Sequence, residues 1–529
     1  MAARTWLAVF LSILVWFVYM KWFAPPPPTR SEQPEVAKQE SRPLGAPIPA
    51  KGSLFEKPLK TDSSYQAKNA KFEISFSDAG GRVSRVSLLG YRESIRKDSA
   101  HVRLVDPEQS TFSLAILFSD SDLSSFSDGE FVRRSEDKKV VFDRQSSGIE
   151  VIKEYSWSED SYLVNTHLKI VFPQSNRRDW GHLVVPLGAT SLHSNVDDPL
   201  KSWELVSFQN EKLTRNQPDG LKATEVLQGN TSWLAFGNRY FSSVLINASQ
   251  INPDIVLFKE PSFMGGALRY PLQLKEGQNE LELNLNFYLG AKNYSDLAKV
   301  PGLKQLIDYG MFSFFAFPLL ELLKFFFQYV HNYGIAIILL TILVRILFYP
   351  LALKSYKSMK SMQKLQPQIL ALKEKYKDDR ERFNREQLAL FKAHKVNPAG
   401  GCLPMLVQLP VFIALYAVLG NSIELYHAPF FGWIRDLSSK DPYYVYPVLM
   451  GISMLIQQKM TPTVGMDPTQ VKMMYLMPVV FTFIMLNLPS GLTVYIFIST
   501  LLGILQQYAM TKDVREQTAV VTQGAPEKG

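Results

Sequence analysis

Arg345 stands in the middle of "LLTILVRILFYPL" (Leu339–Leu351), and a cation in so apolar a run is the residue here best placed to act on a charged partner. The apolar segment 334–353 is about as long as the ~20 residues a helix needs to cross a bilayer. At ~1.5 Å rise per residue, the Arg345 Cα lies roughly 12 Å from the nearer end, too deep for simple snorkelling. Such a charge is expensive in lipid, so something must offset it. Thr341 lies four residues earlier, on the same helical face. Gln408 falls inside the next apolar run, Asn487 near the outer end of the fifth, and Gln457–Gln458 and Gln506–Gln507 near the inner ends of the fourth and sixth. None of the later spans carries an interior Asp or Glu to serve as counter-ion. Two readings follow. In one, Arg345 hydrogen-bonds helix carbonyls or lipid phosphates through local thinning. In the other, Arg345, Thr341 and Gln408 line a water-filled cavity whose positive potential attracts an acidic, partly unfolded segment.

Other chemistries have little to stand on. His101, His167, His182 and His193 show no metal spacing, and H-E-x-x-H and G-x-S-x-G are absent. The single cysteine, Cys402, forms no internal disulfide and reads as a small packing residue. A secondary transporter using Arg345 as an anion site is the alternative, but it calls for repeats and paired ionisable groups, and neither is visible. No enzyme activity, cofactor or metal is expected. The net charge of +8 sits beside apolar spans, which makes it a topology signal and excludes direct nucleic-acid binding.

These residues need a membrane scaffold. Residues 1–23 could be a signal peptide, but the bulky core and the absence of a cleavage site favour an uncleaved signal-anchor. Residues 24–60, rich in proline, form an extended tether. Further spans fall at 334–353, 403–423, 443–458, 473–488 and 492–508. Between the second and third spans lie twelve Lys/Arg, from Lys354 to Lys395, against five acids. The positive-inside rule puts that loop and both termini in the cytoplasm and residues 24–330 outside, giving six spans. The apolar segment 311–330 holds Pro318, Glu321 and Lys324, and counting it as a span would invert the topology. It is expected to lie in the outer interface. Residues 354–396 read as a basic helical hairpin, either a solvated element that fixes topology or a docking site for substrate, ribosome or lipid headgroups. Residues 510–529 form a short tail.

Residues 61–300 alternate with period two. In "LELNLNFYL", Leu281, Leu283, Leu285, Phe287 and Leu289 share a face, and "KFEISFSDAGGRVSRVSLL" reads as two strands around a Gly-Gly turn. The expectation is an antiparallel sandwich of two large sheets, with "GGALRY" (Gly265–Tyr270) as a turn.

Five stretches, "TILVRILFYPL", "SMKSMQKLQPQI", "NPAGGCLPMLVQLPVFIALY", "APFFGWIRDLSSKDPYYVYPVLMG" and "FIMLNLPSGLTVY", together resemble the YidC membrane-protein insertases of Gram-negative bacteria. The resemblance implies a polytopic α-helical membrane protein of the bacterial inner membrane, with a five-helix core within six transmembrane helices. It also implies an all-β periplasmic supersandwich, like galactose-mutarotase folds. The core would hold a hydrophilic groove open to the cytoplasm and lipid, in which nascent inner-membrane proteins are inserted and helped to fold, alone or with the Sec translocon. The groove arginine falls on Arg345 and the threonine one turn earlier on Thr341. The sixth-span motif places Tyr495, followed here by Ile496 where the family carries a second tyrosine. Leu406, Phe412, Met477, Phe481 and Met485 are candidates for a slide along which the client helix leaves; ordinary packing or lipid-facing roles stand beside that reading for each. The nearly neutral C-terminal tail is not assigned ribosome contact; membrane lipids, and the ribosome through the hairpin, are the remaining partners.

Overall fold

The computed structural model describes residues 65–105, 114–173, 179–191, 203–216, 225–259, 263–275, 277–377, 379–394, 396, 403–461 and 468–523. The expected signal-anchor and tether, Cys402 and the last six residues lie outside them, as does the side chain of Leu406.

Among the described residues, alternation of apolar residues builds a β domain of three antiparallel sheets. A nine-stranded sheet runs, in spatial order, Lys212–Asn216, Glu204–Gln209, Thr231–Gly237, Phe241–Asn247, Glu280–Ala291, Leu163–Val171, Ile149–Trp157, Lys139–Ser146 and Val132–Glu136. A five-stranded sheet runs Glu225–Leu227, Asp254–Lys259, Phe263–Gln273, Asp179–Ser191 and Leu117–Phe118. The face bearing Leu281, Leu283, Leu285, Phe287 and Leu289 is buried, as the period requires. The sequence suggested two sheets; a third holds Tyr65–Lys68, Phe72–Ser77, Arg82–Arg92 and His101–Val105. It is tied on by Phe76, whose ring lies 5.2 Å from Tyr155 and 6.0 Å from Trp157.

The expected turn at Gly265–Tyr270 is instead the middle of the strand Phe263–Gln273. A Cβ on Gly266 would stand 2.8 Å from a Leu205 methyl, so this glycine permits close approach of the five- and nine-stranded sheets. His167 is a strand residue whose Nδ1 meets Asn284 Oδ1 at 2.9 Å, a structural pairing across the ladder.

The helical part comprises α1 (Ser313–Val330), α2 (Tyr333–Lys364), α3 (Gln366–Lys375), α4 (Arg380–Ala393), α5 (Leu403–Asn421), α6 (Val445–Met460), α7 (Pro468–Met485) and α8 (Ser490–Gln523). By length and composition, three stretches among the described residues suffice to cross a membrane: Ser313–Val330, Tyr333–Lys364 and Ser490–Thr511. Gln408–Asn421 and Val471–Met485 are shorter apolar helices. Helix α2 starts at an Asn332 cap, whose side chain accepts from Ile335 N, and runs beyond Leu353 to Lys364. Asp379 caps α4 in the same way through Arg382 N. Leu365, Ile369 and Phe391 close a small core between α3 and α4, with Met362 and Phe383 against it.

Helix α1 is anchored at two points. Asn421 Nδ2 donates to Asp308 O at 2.8 Å, just before the helix, and Lys324 Nζ lies 3.1 Å from Glu424 Oε1. Lys324 is roughly 16 Å along the axis from Ser313. Both attachments hold the short stretch Asn421–Glu424 at the end of α5.

Candidate functional site: a guanidinium among four apolar helices

Helix α2 carries Ile337, Thr341 and Arg345 at four-residue steps, one above the other. The Thr341 side chain is buried, and its hydroxyl donates to Ile337 O at 2.6 Å. That back-bond satisfies the hydroxyl inside its own helix, so it is spent there and does not reach Arg345. Arg345 is half-buried and turns toward α8, where Nη2 donates both to Ser499 O at 2.6 Å and to Ser499 Oγ at 2.9 Å. Its Nε is buried without a hydrogen-bond partner among the described residues. No described carboxylate forms an ion pair with it.

Helix α6 adds an amide. A Cβ on Gly503 of α8 would stand 2.7 Å from Gln457 Nε2 and 3.3 Å from Arg345 Nη2, so amide and guanidinium converge over this glycine. Tyr495, also on α8, is buried within electrostatic reach of the guanidinium. Its ring centroid is 6.1 Å from that of Phe412 on α5. Gln408, on α5, is half-buried and makes no hydrogen bond to Arg345. The site therefore unites Arg345 with Ser499, Gln457 and Tyr495, while Thr341 supports the same face through its helix.

Sequence reasoning placed Gln457 at a helix end and passed over Ser499 and Gly503. A small-residue pair one turn apart on α8 is the signal that could have found them. The slide candidates differ in exposure: Met477 is 55 % exposed and Met485 3 %, with Phe412 and Phe481 between. A separate cleft of about 770 Å³ is lined by Glu93, Tyr240, His427, Trp433, Asp436 and Tyr443 among others; Arg345 is not part of it.

The arrangement is a fixed positive charge with spare donor capacity inside an apolar bundle. Such a group attracts anions and performs no bond chemistry alone. Among the described residues no cluster of His, Cys, Asp and Glu is suited to a metal.

Comparison with known proteins agrees along the length of the chain. The family described as YidC periplasmic domain matches residues 64–322, and that described as 60Kd inner membrane protein matches residues 325–517. Membrane protein insertase YidC of Geotalea daltonii is 37% identical, over 97% of this chain and 100% of that protein. The YidC insertase of Syntrophus aciditrophicus is 38% identical, over 92% of this chain and 90% of that protein. A crystal structure of an active YidC insertase aligns with 84% of this chain at 20% identity and a TM-score of 0.37. On the identity and coverage of these relatives, the chain belongs to the YidC family of membrane protein insertases.

Proposed function

We propose that this chain inserts nascent membrane proteins into the bacterial inner membrane and helps them fold, with Arg345 as the group that transiently holds the crossing segment of a client. The family is not one of enzymes, and the proposed task makes and breaks no covalent bond. One observation carries the reading: a half-buried guanidinium in an apolar helix, with a buried Nε that nothing described accepts from and no described carboxylate beside it. A protein that needed Arg345 only for structure would gain by pairing or removing that charge. A client's acidic tail provides the missing counter-charge for a moment. The client's own apolar helix then supplies the favourable transfer, ~20 residues entering lipid.

The topology proposed has six spans, both termini in the cytoplasm and the β domain in the periplasm. The charged Glu321 and Lys324 within α1, and its attachments to Asn421–Glu424, favour an interfacial helix there, despite its apolar length. The exposed Met477 on α7 suits a client exit path, whereas the buried Met485 would act only after local movement. The Sec translocon and, through the basic hairpin, the ribosome are proposed partners.

The test is insertion of a single-span client with an acidic outer tail into proteoliposomes holding the purified protein, scored by protease protection, beside a client with a neutral tail. Arg345→Lys is expected to retain insertion, and Arg345→Ala and Arg345→Glu to fail chiefly with the acidic tail. Equal insertion of both clients by all variants would overturn the role of the charge.

A further inference from the structure

We infer that Ser499 and Gly503 are positioning residues for Arg345: one turn of α8 clamps a single guanidinium nitrogen and aims the rest of the group. The inference rests on the groove reading above and adds what fixes the charge in place.

The geometry begins with a backbone carbonyl. In an α-helix the carbonyl of residue i already accepts from the N–H of residue i+4, and the side chain at that later position crowds its second lone pair. For Ser499 the residue at i+4 is Gly503. With no side chain there, the Ser499 carbonyl is open to a second donor, and Arg345 Nη2 occupies it at 2.6 Å. The Ser499 hydroxyl accepts from the same nitrogen at 2.9 Å. Both acceptors thus engage Nη2, on one edge of a planar group with five N–H donors. A rigid fork held at one corner has a fixed orientation, and Nε is left unbonded.

Gly503 has a second effect. Its bare Cα admits the Gln457 amide beside the guanidinium, since a Cβ would approach Nε2 to 2.7 Å. That amide sits at the flexible end of its side chain and can swing aside, whereas a Cβ 3.3 Å from Nη2 asks the clamped arginine to move by a few tenths of an ångström. Alanine at 503 is therefore a mild change. Leucine cannot share the space with the present arginine rotamer.

The test reads tail-charge selectivity, the ratio of acidic-tail to neutral-tail insertion in proteoliposomes, for the full chain. Ser499→Ala and Gly503→Leu are expected to lower that ratio by about two- to tenfold, the range of a net hydrogen bond, with the acidic-tail client losing more than the neutral-tail client. Ser499→Thr, which keeps the hydroxyl, is expected to stay near the wild-type ratio, and Gly503→Ala to fall by less than Gly503→Leu. In an Arg345→Ala background neither Ser499→Ala nor Gly503→Leu should change the ratio further. A purely structural role would lower insertion of both clients together, and that result overturns the clamp. So does an effect of either substitution that persists without Arg345. If Arg345→Ala lowers the ratio while Ser499→Ala and Gly503→Leu leave it untouched, the clamp fails and the groove reading stands. If Arg345→Ala itself leaves it untouched, the groove reading fails with it.

Discussion

Lys153 lies in the β domain with no exposed surface, its ammonium donating to Gly80 O at 2.6 Å and lying 4.7 Å from the Phe131 ring centre. Two residues on, Tyr155 donates to Gly81 O at 2.9 Å, so alternate positions of one strand pin the two carbonyls of the Gly-Gly turn. Burial, with the nearby Arg82 charge adding to it, lowers the Lys153 pKa from 10.5 to about 7. The folded pKa is below the unfolded one. Below pH 7 both states hold the proton and the burial penalty is complete. Between about 7 and 10.5 the unfolded chain binds the extra proton, so stability rises with pH, by at most ~1.4 kcal/mol per unit. Thermal unfolding of the full chain in detergent, followed by the β-sheet circular dichroism signal, should show a midpoint climbing from pH 6.5 to 9. Lys153→Met should flatten the climb, raising the midpoint at pH 6.5 and leaving it level or lower at pH 9, where the Gly80 carbonyl loses its donor. An unchanged slope would mean that Lys153 is ionised throughout. Neither this lysine nor Ser499 stands out in the sequence. Arg345 is legible because it interrupts an apolar run, whereas Lys153 occupies an ordinary strand position and becomes unusual only when the sheets close over it.

Elements meet where side chains are missing. Helices α6 and α7 pack through Gly451, at which a Cβ would overlap the Thr482 hydroxyl; that hydroxyl already donates to Pro478 O at 2.7 Å and cannot turn away freely. Gly451→Val should therefore cost about 1–3 kcal/mol by overpacking, read as a lower unfolding midpoint in detergent; an unaltered midpoint would mean that the two helices slide apart without penalty. Helix α1 depends on charge. The Glu424 side chain is 8 % exposed and is shared by Lys324 and Asn293, whereas Lys324 has a second, more exposed partner in Glu321 at 3.5 Å. Removing the lysine strands a buried carboxylate; removing the carboxylate leaves the lysine its other partner. Lys324→Ala should consequently destabilise more than Glu424→Ala, by up to about 3–5 kcal/mol, and the double change should recover part of the loss. Equal single effects would show that Glu321 does not take over. Strand elements were readable wherever one face is buried, because period two then shows in the residues. The segment Gly265–Tyr270 was misread because two adjacent glycines ordinarily mark a turn, while here Gly266 serves the approach of another sheet, which no local pattern records.

At the scale of the whole molecule, the asymmetry of charge was the legible feature: twelve Lys/Arg against five acids between residues 354 and 395 orient the chain if the hairpin stays in the cytoplasm. With the β domain held outside, the sense of every later loop instead hangs on α1. Its length permits a span, whereas its internal charges and its attachments to Asn421–Glu424 favour an interfacial course. The two courses give opposite patterns of accessibility. With Cys402 replaced by alanine, single cysteines at Lys97 in the β domain, Gln328 near the end of α1, Lys377 in the hairpin and Ser439 between α5 and α6 report each compartment. In intact spheroplasts, a membrane-impermeant maleimide added outside is expected to label Lys97→Cys, Gln328→Cys and Ser439→Cys, and to reach Lys377→Cys only after lysis. Were α1 a span, Lys97→Cys alone would keep its state: Lys377→Cys would label from outside, and Gln328→Cys and Ser439→Cys would be protected. That reversed pattern would also carry the basic hairpin away from the cytoplasm, where nascent clients arrive, and would remove the reason for a groove whose charge receives them from that side.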